Sequence, residues 1–250
     1  MLQTAIETAQ KAGTLALGYF KKQPKVLYKP DNTPVTRADK EAEKLIRGLV
    51  SRKFPDHGFI GEEFGTTNPK AKYQWVIDPI DGTKSFVRGI KGWGTLLAVL
   101  EEGKPIIGVY FSPATDEIFT CQKGKGTYLN GKRTHVSKVK DVAKSFIVHS
   151  SLNHFKNINK VENLVRLAET AQGKRGASDC DGINMVLKGQ ADLYVAGRGY
   201  IWDFAAPAIL TDEAGGKYTD LNNTKKLDTG TTLLTNGIIH NQVLDILNSK

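Results

Sequence analysis

Two stretches with helical periodicity open the chain. Between residues 2 and 21, apolar side chains recur three or four positions apart, as at Leu2, Ile6 and Leu17, which predicts an amphipathic helix. A second helix is predicted from Thr36, a favourable N-cap residue, to the turn at Phe54-Pro55.

A pattern typical of strands follows. Gly58–Gly61 predicts a short strand, and residues 94–100, 105–111 and 117–121 alternate or run apolar between polar turns, which indicates an antiparallel meander. Asn130-Gly131 is typical of a tight hairpin turn. Residues 1–140 are therefore predicted to form a first domain, in which a helix pair packs on a mostly antiparallel sheet.

Beyond residue 140 the pattern changes to alternating strands and helices. Strands are predicted at 145–149, 191–196 and 231–235, and helices at 158–171, from Cys180 or Asp181 to 189, at 202–214 and at 238–248. Gly215-Gly216 is typical of the end of a helix. This alternation predicts a second, three-layered α/β domain over residues 141–250. The fold class is thus α+β or α/β.

Composition narrows the possible partners. Lys and Arg number 35 against 26 Asp and Glu, which gives a net charge of +9 and favours anionic partners. The basic residues are scattered, with no aromatic-interleaved patch, so small phosphorylated metabolites are favoured over nucleic acid. The two cysteines form no spacing motif, and no apolar run is long enough for a signal peptide or a membrane span. We therefore expect a cytoplasmic protein without membrane partners.

The candidate chemistry is concentrated between residues 73 and 86. A short apolar run is followed by Asp78-Pro79-Ile80-Asp81 and then by Gly82-Thr83. Two carboxylates and the Ile80 carbonyl at a strand end are hard oxygen ligands that suit Mg²⁺. Backbone N–H groups at a helix start bind phosphate. The alternative is an ordinary Asp-Gly turn, but the full pattern indicates metal-assisted phosphoryl chemistry.

Three more carboxylates have both a structural and a functional interpretation. Glu62 directly follows the predicted strand 58–61, and Asp78 ends the next predicted strand along the chain. If these two strands are neighbours in the sheet, the carboxylates of Glu62 and Asp78 would meet around a cation. Asp39 lies three residues after Thr36, where it would complete a capping box. Asp203 lies in the first turn of a predicted helix, where the helix dipole stabilises it.

These segments resemble the signatures of a known family. Gly-Glu-Glu at 61–63, Trp-Val-Ile-Asp-Pro-Ile-Asp-Gly-Thr at 75–83, Trp-Asp at 202–203 and Glu-Ala-Gly-Gly at 213–216 are similar to motifs of the inositol monophosphatase family. That family comprises Mg²⁺-dependent, lithium-sensitive phosphatases related to fructose-1,6-bisphosphatase. The resemblance implies a layered α-β-α-β-α sandwich and, by analogy with the family, a homodimer.

The resemblance also implies roles for individual residues. Two or three Mg²⁺ ions would be bound by Glu62, Asp78, Asp81, Asp203 and the Ile80 carbonyl. Thr83, with Asp39, would position or activate the attacking water, and Glu62 would also take part in catalysis. Gly82 and Thr83 would bind the phosphate.

Within the family, two segments point to a substrate. Asp-Gly-Thr-Lys-Ser-Phe at 81–86 and the segment with Arg175, Asp179 and Cys180 resemble histidinol-phosphate phosphatases, although Asp181 stands where those often have an aromatic residue. Inositol-specific members tend to have a glutamate near the position of Ala196. The leading substrate is therefore histidinol phosphate, with Arg175, Asp179 and Asp181 as substrate-binding residues.

Other functions stay open on the sequence. The runner-up substrate is inositol 1-phosphate, and fructose 1,6-bisphosphate and nucleotide 3′-phosphates are further possibilities. A different class is a non-catalytic protein that binds anions or RNA through its positive surface. The carboxylate set argues against that class, because unneutralised carboxylates would weaken the binding of an anion.

Overall fold

The structure, a computed structural model, describes residues 1–22, 26–28, 34–177 and 179–249. In this part of the chain the α-helices are Leu2–Phe20 (α1), Arg37–Lys53 (α2), Thr83–Val87 (α3), Leu152–Asn157 (α4), Val161–Thr170 (α5), Asp179–Leu187 (α6), Ile201–Glu213 (α7) and His240–Asn248 (α8). A short 3-10 helix covers Val142–Lys144.

The strands of the described residues form three sheets. They are Val26–Tyr28 (β1), Pro34–Thr36 (β2), Gly58–Gly61 (β3), Gly65–Thr67 (β4), Tyr73–Asp81 (β5), Gly94–Glu101 (β6), Lys104–Ser112 (β7), Glu117–Gln122 (β8), Thr127–Leu129 (β9), Lys132–Arg133 (β10), Phe146–His149 (β11), Gly173–Gly176 (β12), Leu193–Ala196 (β13), Lys217–Thr219 (β14) and Thr232–Thr235 (β15). Strands β1 and β2 form a small pair of their own.

The larger sheet has the order β10-β9-β8-β7-β6-β5-β3-β4. Its strands pair antiparallel except for β3 and β5, which are parallel. The register of β5 against β6 shifts between Asp78, opposite Leu96, and Asp81, opposite Gly94. Such a bulge bends a strand and redirects its side chains. The predicted, mostly antiparallel sheet is confirmed, and its bulge lies at the candidate site.

Alternation along β5 gives this sheet two apolar faces. Trp75 and Ile77 pack in the core formed with α1 and α2, whereas Val76 belongs to the core formed with α7. A strand with both faces buried is typical of a central sheet layer. Strand β5 therefore ends between two helical layers.

The second sheet has the order β12-β11-β13-β15-β14. Helix α7, buried over Phe204–Thr211, packs between the two sheets with α6, and Tyr194 and Leu234 of the second sheet join that core. Helices α5 and α8 cover the outer face, where Leu164 packs in a separate core. This layering confirms the α-β-α-β-α sandwich.

The helix predicted over 158–171 is wrong in its bounds. Asn159 adopts a positive φ of 56°, a conformation that interrupts a helix, so α4 ends before it and α5 begins after it. The short strands β4, β12 and β14 were not predicted. No helix within the described residues has both the length and the apolar character needed to cross a bilayer. The division into two domains near residue 140 stays a prediction.

Candidate active site

Three aspartates meet at the end of strand β5. Asp78, Asp81 and Asp203 each offer a carboxylate oxygen, and these oxygens all lie within 4.8 Å of one another. Asp78 and Asp81 are buried and Asp203 is partly buried. The three side chains line one open cleft together with Glu62, Ile80, Gly82 and Thr83.

Local hydrogen bonds hold the strand end in this shape. The Asp78 carboxylate accepts a hydrogen bond from the Ile80 amide at 3.0 Å, which closes an Asx turn over Pro79. The Asp81 carboxylate accepts a hydrogen bond from the Cys180 thiol at 3.0 Å. The bulge and these bonds together direct both carboxylates into the cleft.

The turn after Asp81 depends on a glycine. Gly82 has a φ of +83°, and a Cβ there would lie 2.6 Å from the Gly92 carbonyl oxygen. Both the conformation and the space exclude a side chain. Thr83 begins helix α3, and its hydroxyl donates a hydrogen bond to the Ile80 carbonyl at 3.0 Å.

Asp203 reaches the cluster from the second sheet's side of the molecule. It lies in the first turn of α7, where its carboxylate accepts a hydrogen bond from the Tyr200 amide at 2.6 Å in a capping box. It also shares a hydrogen bond with Asp78. The structural and the functional interpretations of Asp203 are therefore compatible.

Burial raises the pKa of Asp78 well above its usual value, and the charges of Glu62, Asp81 and Asp203 raise it further. Carboxylates held this close repel one another unless a cation neutralises them. Hard carboxylate oxygens at such spacing are the ligands that Mg²⁺ prefers. The donor set therefore fits the magnesium ions that the sequence predicts.

Glu62 is fixed beside this cluster by the parallel pairing of β3 and β5. Its amide donates a hydrogen bond to the Ile77 carbonyl at 3.2 Å, one residue before Asp78. Glu62 lines the same cleft. The sequence argument from adjacent strand ends thus gave the correct location.

Asp39 has the predicted capping geometry. Its carboxylate accepts hydrogen bonds from both the amide and the hydroxyl of Thr36, each at 2.7 Å. Burial raises the pKa of Asp39 to about 7, against the effect of these bonds, and the charges of Glu63 and Glu62 raise it further. Among the described residues, Asp39 does not line the cleft itself.

The cleft is also lined by residues that the sequence analysis did not predict as site residues. His154, Arg198, Tyr200 and Trp202 line it, together with Lys84. The rings of Tyr200 and Trp202 stack with centroids 4.9 Å apart, and Arg198 donates a hydrogen bond to the Tyr200 hydroxyl at 3.3 Å. The Trp-Asp motif was the available signal for this segment, whereas His154 lies on helix α4, which was not predicted.

A family model of the inositol monophosphatase family matches residues 1–248. The chain belongs to the inositol monophosphatase family. A histidinol-phosphatase of Chlorobaculum parvum is 37% identical over 235 residues, 94% of this chain and 91% of that protein. A histidinol-phosphatase of Mycobacterium tuberculosis is 36% identical over 226 residues, which cover 88% of this chain and 87% of that protein. The inositol monophosphatase structure from Anabaena is 31% identical, with a TM-score of 0.87 over 98% of this chain and 94% of that one.

Membership of the inositol monophosphatase family confirms the enzyme class. The chain is a phosphoric monoester hydrolase of a metal-dependent family that acts on small phosphorylated substrates. A purely non-catalytic anion or RNA binder is therefore not its class.

The three residues predicted to bind the substrate lie at different places in this family member. Asp179 is the first residue of α6, and Asp181 is exposed in its first turn. Arg175 is exposed on β12, with its guanidinium 5.8 Å from the Phe146 ring centroid. Among the described residues, the lining of the cleft includes neither Arg175 nor Asp181. Their role in substrate binding stays a prediction.

Proposed function

We propose that this chain is a Mg²⁺-dependent phosphomonoesterase whose substrate is histidinol phosphate. The observation that carries the proposal is the meeting of Asp78, Asp81 and Asp203 beside the Gly82-Thr83 turn. Metal-binding carboxylates beside phosphate-binding amides are the groups that metal-dependent hydrolysis of a phosphate ester requires.

In this proposal, two or three Mg²⁺ ions are held by Glu62, Asp78, Asp81, Asp203 and the Ile80 carbonyl. Magnesium bound there would supply electrostatic stabilisation of the phosphate and would lower the pKa of a bound water molecule. The Thr83 hydroxyl lies beside this ligand set, because it donates a hydrogen bond to the Ile80 carbonyl at 3.0 Å, and its proposed role is to orient the attacking water.

The chain's own groups orient the reactants. The amides of Gly82 and Thr83 bind the phosphate oxygens, because they lie at the start of α3 and have no partner within that helix. Thr83 and Asp39 position and activate the attacking water, and Glu62 assists them. Water attacks the phosphorus atom directly, the P–O bond to the substrate's alcohol breaks, the alcohol leaves with a proton, and no covalent phosphoenzyme forms.

The substrate assignment is supported by the relatives that are named histidinol-phosphatases. It is also supported by the position of α6, because the Cys180 thiol contacts Asp81 and the helix therefore begins beside the cluster. Asp179 and Asp181 would pair with the ammonium group of histidinol phosphate, and Arg175 would contact the same substrate. Inositol 1-phosphate is the second candidate, favoured by the solved structure that is named an inositol monophosphatase.

A comparison of kcat/KM tests this assignment. Histidinol phosphate, inositol 1-phosphate, fructose 1,6-bisphosphate and a nucleotide 3′-phosphate are each assayed with Mg²⁺ in the wild type and in Asp179→Asn and Asp181→Asn. The proposal expects a wild-type preference for histidinol phosphate that at least one variant loses. A wild-type preference for inositol 1-phosphate, fructose 1,6-bisphosphate or a nucleotide 3′-phosphate refutes the substrate and leaves the metal site untouched.

The proposal extends to assembly and location. By resemblance to the family, the protein is a homodimer, and we place it in the cytoplasm. Light scattering on the purified protein tests the first point, because a monomeric mass at micromolar concentration contradicts it. Localisation of the tagged protein in its own cells tests the second.

A further inference from the structure

Helix α2 buries a carboxylate that the proposed mechanism does not use. Glu43 is fully buried, and its carboxylate accepts hydrogen bonds from the amides of Glu63 at 2.7 Å and Phe64 at 3.3 Å. A buried charge requires such partners, because its desolvation is otherwise very unfavourable. Glu43 is thereby tied to the segment that directly follows Glu62.

Arg47, one turn further along α2, completes the arrangement. It donates a hydrogen bond to Glu43 at 2.8 Å, to the Thr67 hydroxyl at 2.6 Å and to the Gly65 carbonyl at 2.5 Å. The pair therefore fixes residues 63 and 64 of the turn and two residues of strand β4 against helix α2. These hydrogen bonds hold the polar turn against helix α2.

The geometry also explains the first residue of the Gly-Glu-Glu motif. A Cβ on Gly61 would lie 2.0 Å from a Glu43 carboxylate oxygen, so a side chain there would displace the carboxylate. On the side of the turn that faces strand β5, the Glu62 amide donates a hydrogen bond to the Ile77 carbonyl. The main chain at Glu62 is thus fixed between strand β5 and the Glu43 carboxylate.

We propose that Glu43 is a positioning residue that orients Glu62 toward the metal site. The inference rests on the proposed function, because it takes Glu62 to be a Mg²⁺ ligand. Groups that orient a metal ligand typically change metal affinity ten- to a hundredfold when they are removed. Glu43 acts on Glu62 through the main chain of residues 63 and 64, and Arg47, which binds Glu43, Gly65 and Thr67, supports the same segment.

The experiment is a calorimetric titration of the purified full chain with Mg²⁺ alone. In Glu43→Gln, a single amide oxygen must replace two carboxylate oxygens, so Arg47 and the two amides compete for one acceptor. We expect the Kd for Mg²⁺ to rise about tenfold. The matched control is Glu41→Gln on the same helix, which changes only the contacts with Tyr19 and Arg37 and should leave the Kd unchanged.

A second control separates positioning from loss of stability. Leu164→Ala opens a cavity in the outer core and lowers the Tm, but it should leave the Kd for Mg²⁺ unchanged. If Glu43→Gln does not fold, Glu43→Asp keeps the charge and withdraws the carboxylate from the amides, with the same expected rise. A rise in Kd for Leu164→Ala equal to that for the Glu43 variant overturns the inference.

A double-mutant cycle with Glu62→Gln identifies the route. If Glu43 acts through Glu62, adding Glu43→Gln to Glu62→Gln raises the Kd by less than about twofold. If the two substitutions raise the Kd for Mg²⁺ independently, so that the factors multiply in the double variant, the inference is overturned. An unchanged Kd in Glu62→Gln refutes the ligand assignment itself, whereas a raised Kd there with an unchanged Kd in Glu43→Gln refutes the positioning role alone.

Discussion

Replacing Asp39 by asparagine separates two roles of one buried carboxyl group. The Asp39 carboxylate caps helix α2 through Thr36, and it is proposed to act on the attacking water with Thr83. Asparagine keeps an oxygen that can accept the capping bonds but cannot be ionised. We therefore expect a variant that is more stable than the wild type and nearly inactive.

The size of the stability change follows from the pKa. Burial raises the pKa of Asp39 from 3.8 to about 7, which corresponds to about 4 kcal/mol in the free energy of unfolding once the group is ionised. Because the folded-state pKa is raised, this contribution is fully present below pH 3.8 and is lost as the pH rises through about 7. The advantage of Asp39→Asn should therefore be small in acid and reach up to about 4 kcal/mol at about pH 8.

The assay is urea unfolding of both proteins from about pH 4 to about pH 8 in EDTA, because a bound cation would change the pKa. Parallel curves for the two proteins would refute the pKa argument. Turnover with Mg²⁺ is then measured on the same preparations. A kcat close to that of the wild type would leave Asp39 a capping residue only.

Three further substitutions have defined outcomes. Asp81→Asn removes one anionic ligand at constant size, so activity should fall roughly a thousandfold or more while the apo protein keeps its Tm; near-normal turnover at saturating Mg²⁺ would refute the ligand assignment. Thr83→Val removes the bond to the Ile80 carbonyl and should lower kcat with little change in Mg²⁺ affinity, and the opposite pattern would remove Thr83 from catalysis. Burial lowers the pKa of His240 from 6.5 to about 4. As the pH falls from 6.5 to about 4, the free energy of unfolding of the wild type should therefore fall relative to that of His240→Gln. A difference between the two proteins that does not change with pH would contradict this pKa shift.

Part of the site could be predicted because it lies in one continuous stretch. Asp78, Asp81 and Gly82 follow a buried strand within five residues, so local geometry alone brings them together. Glu62 required one further assumption, that its strand is the neighbour of β5, and the parallel pairing confirms it. Their short separation in sequence is why the placement of these side chains could be predicted, whereas their roles stay predictions.

Other parts depend on contacts that no local pattern contains. Glu43 is a charged residue next to Ala42 and Ile46 on the buried face of α2, and in the sequence it is indistinguishable from a solvated glutamate. His154 and Arg198 reach the cleft only because α7 packs between the second sheet and the first. These residues required the tertiary structure.

The most direct test of the account is the release of inorganic phosphate from histidinol phosphate as a function of Mg²⁺ concentration. The account predicts no turnover in EDTA, a saturable rise with added Mg²⁺, and loss of that rise in Asp81→Asn. Turnover that continues undiminished in EDTA, or none at saturating Mg²⁺, would contradict it.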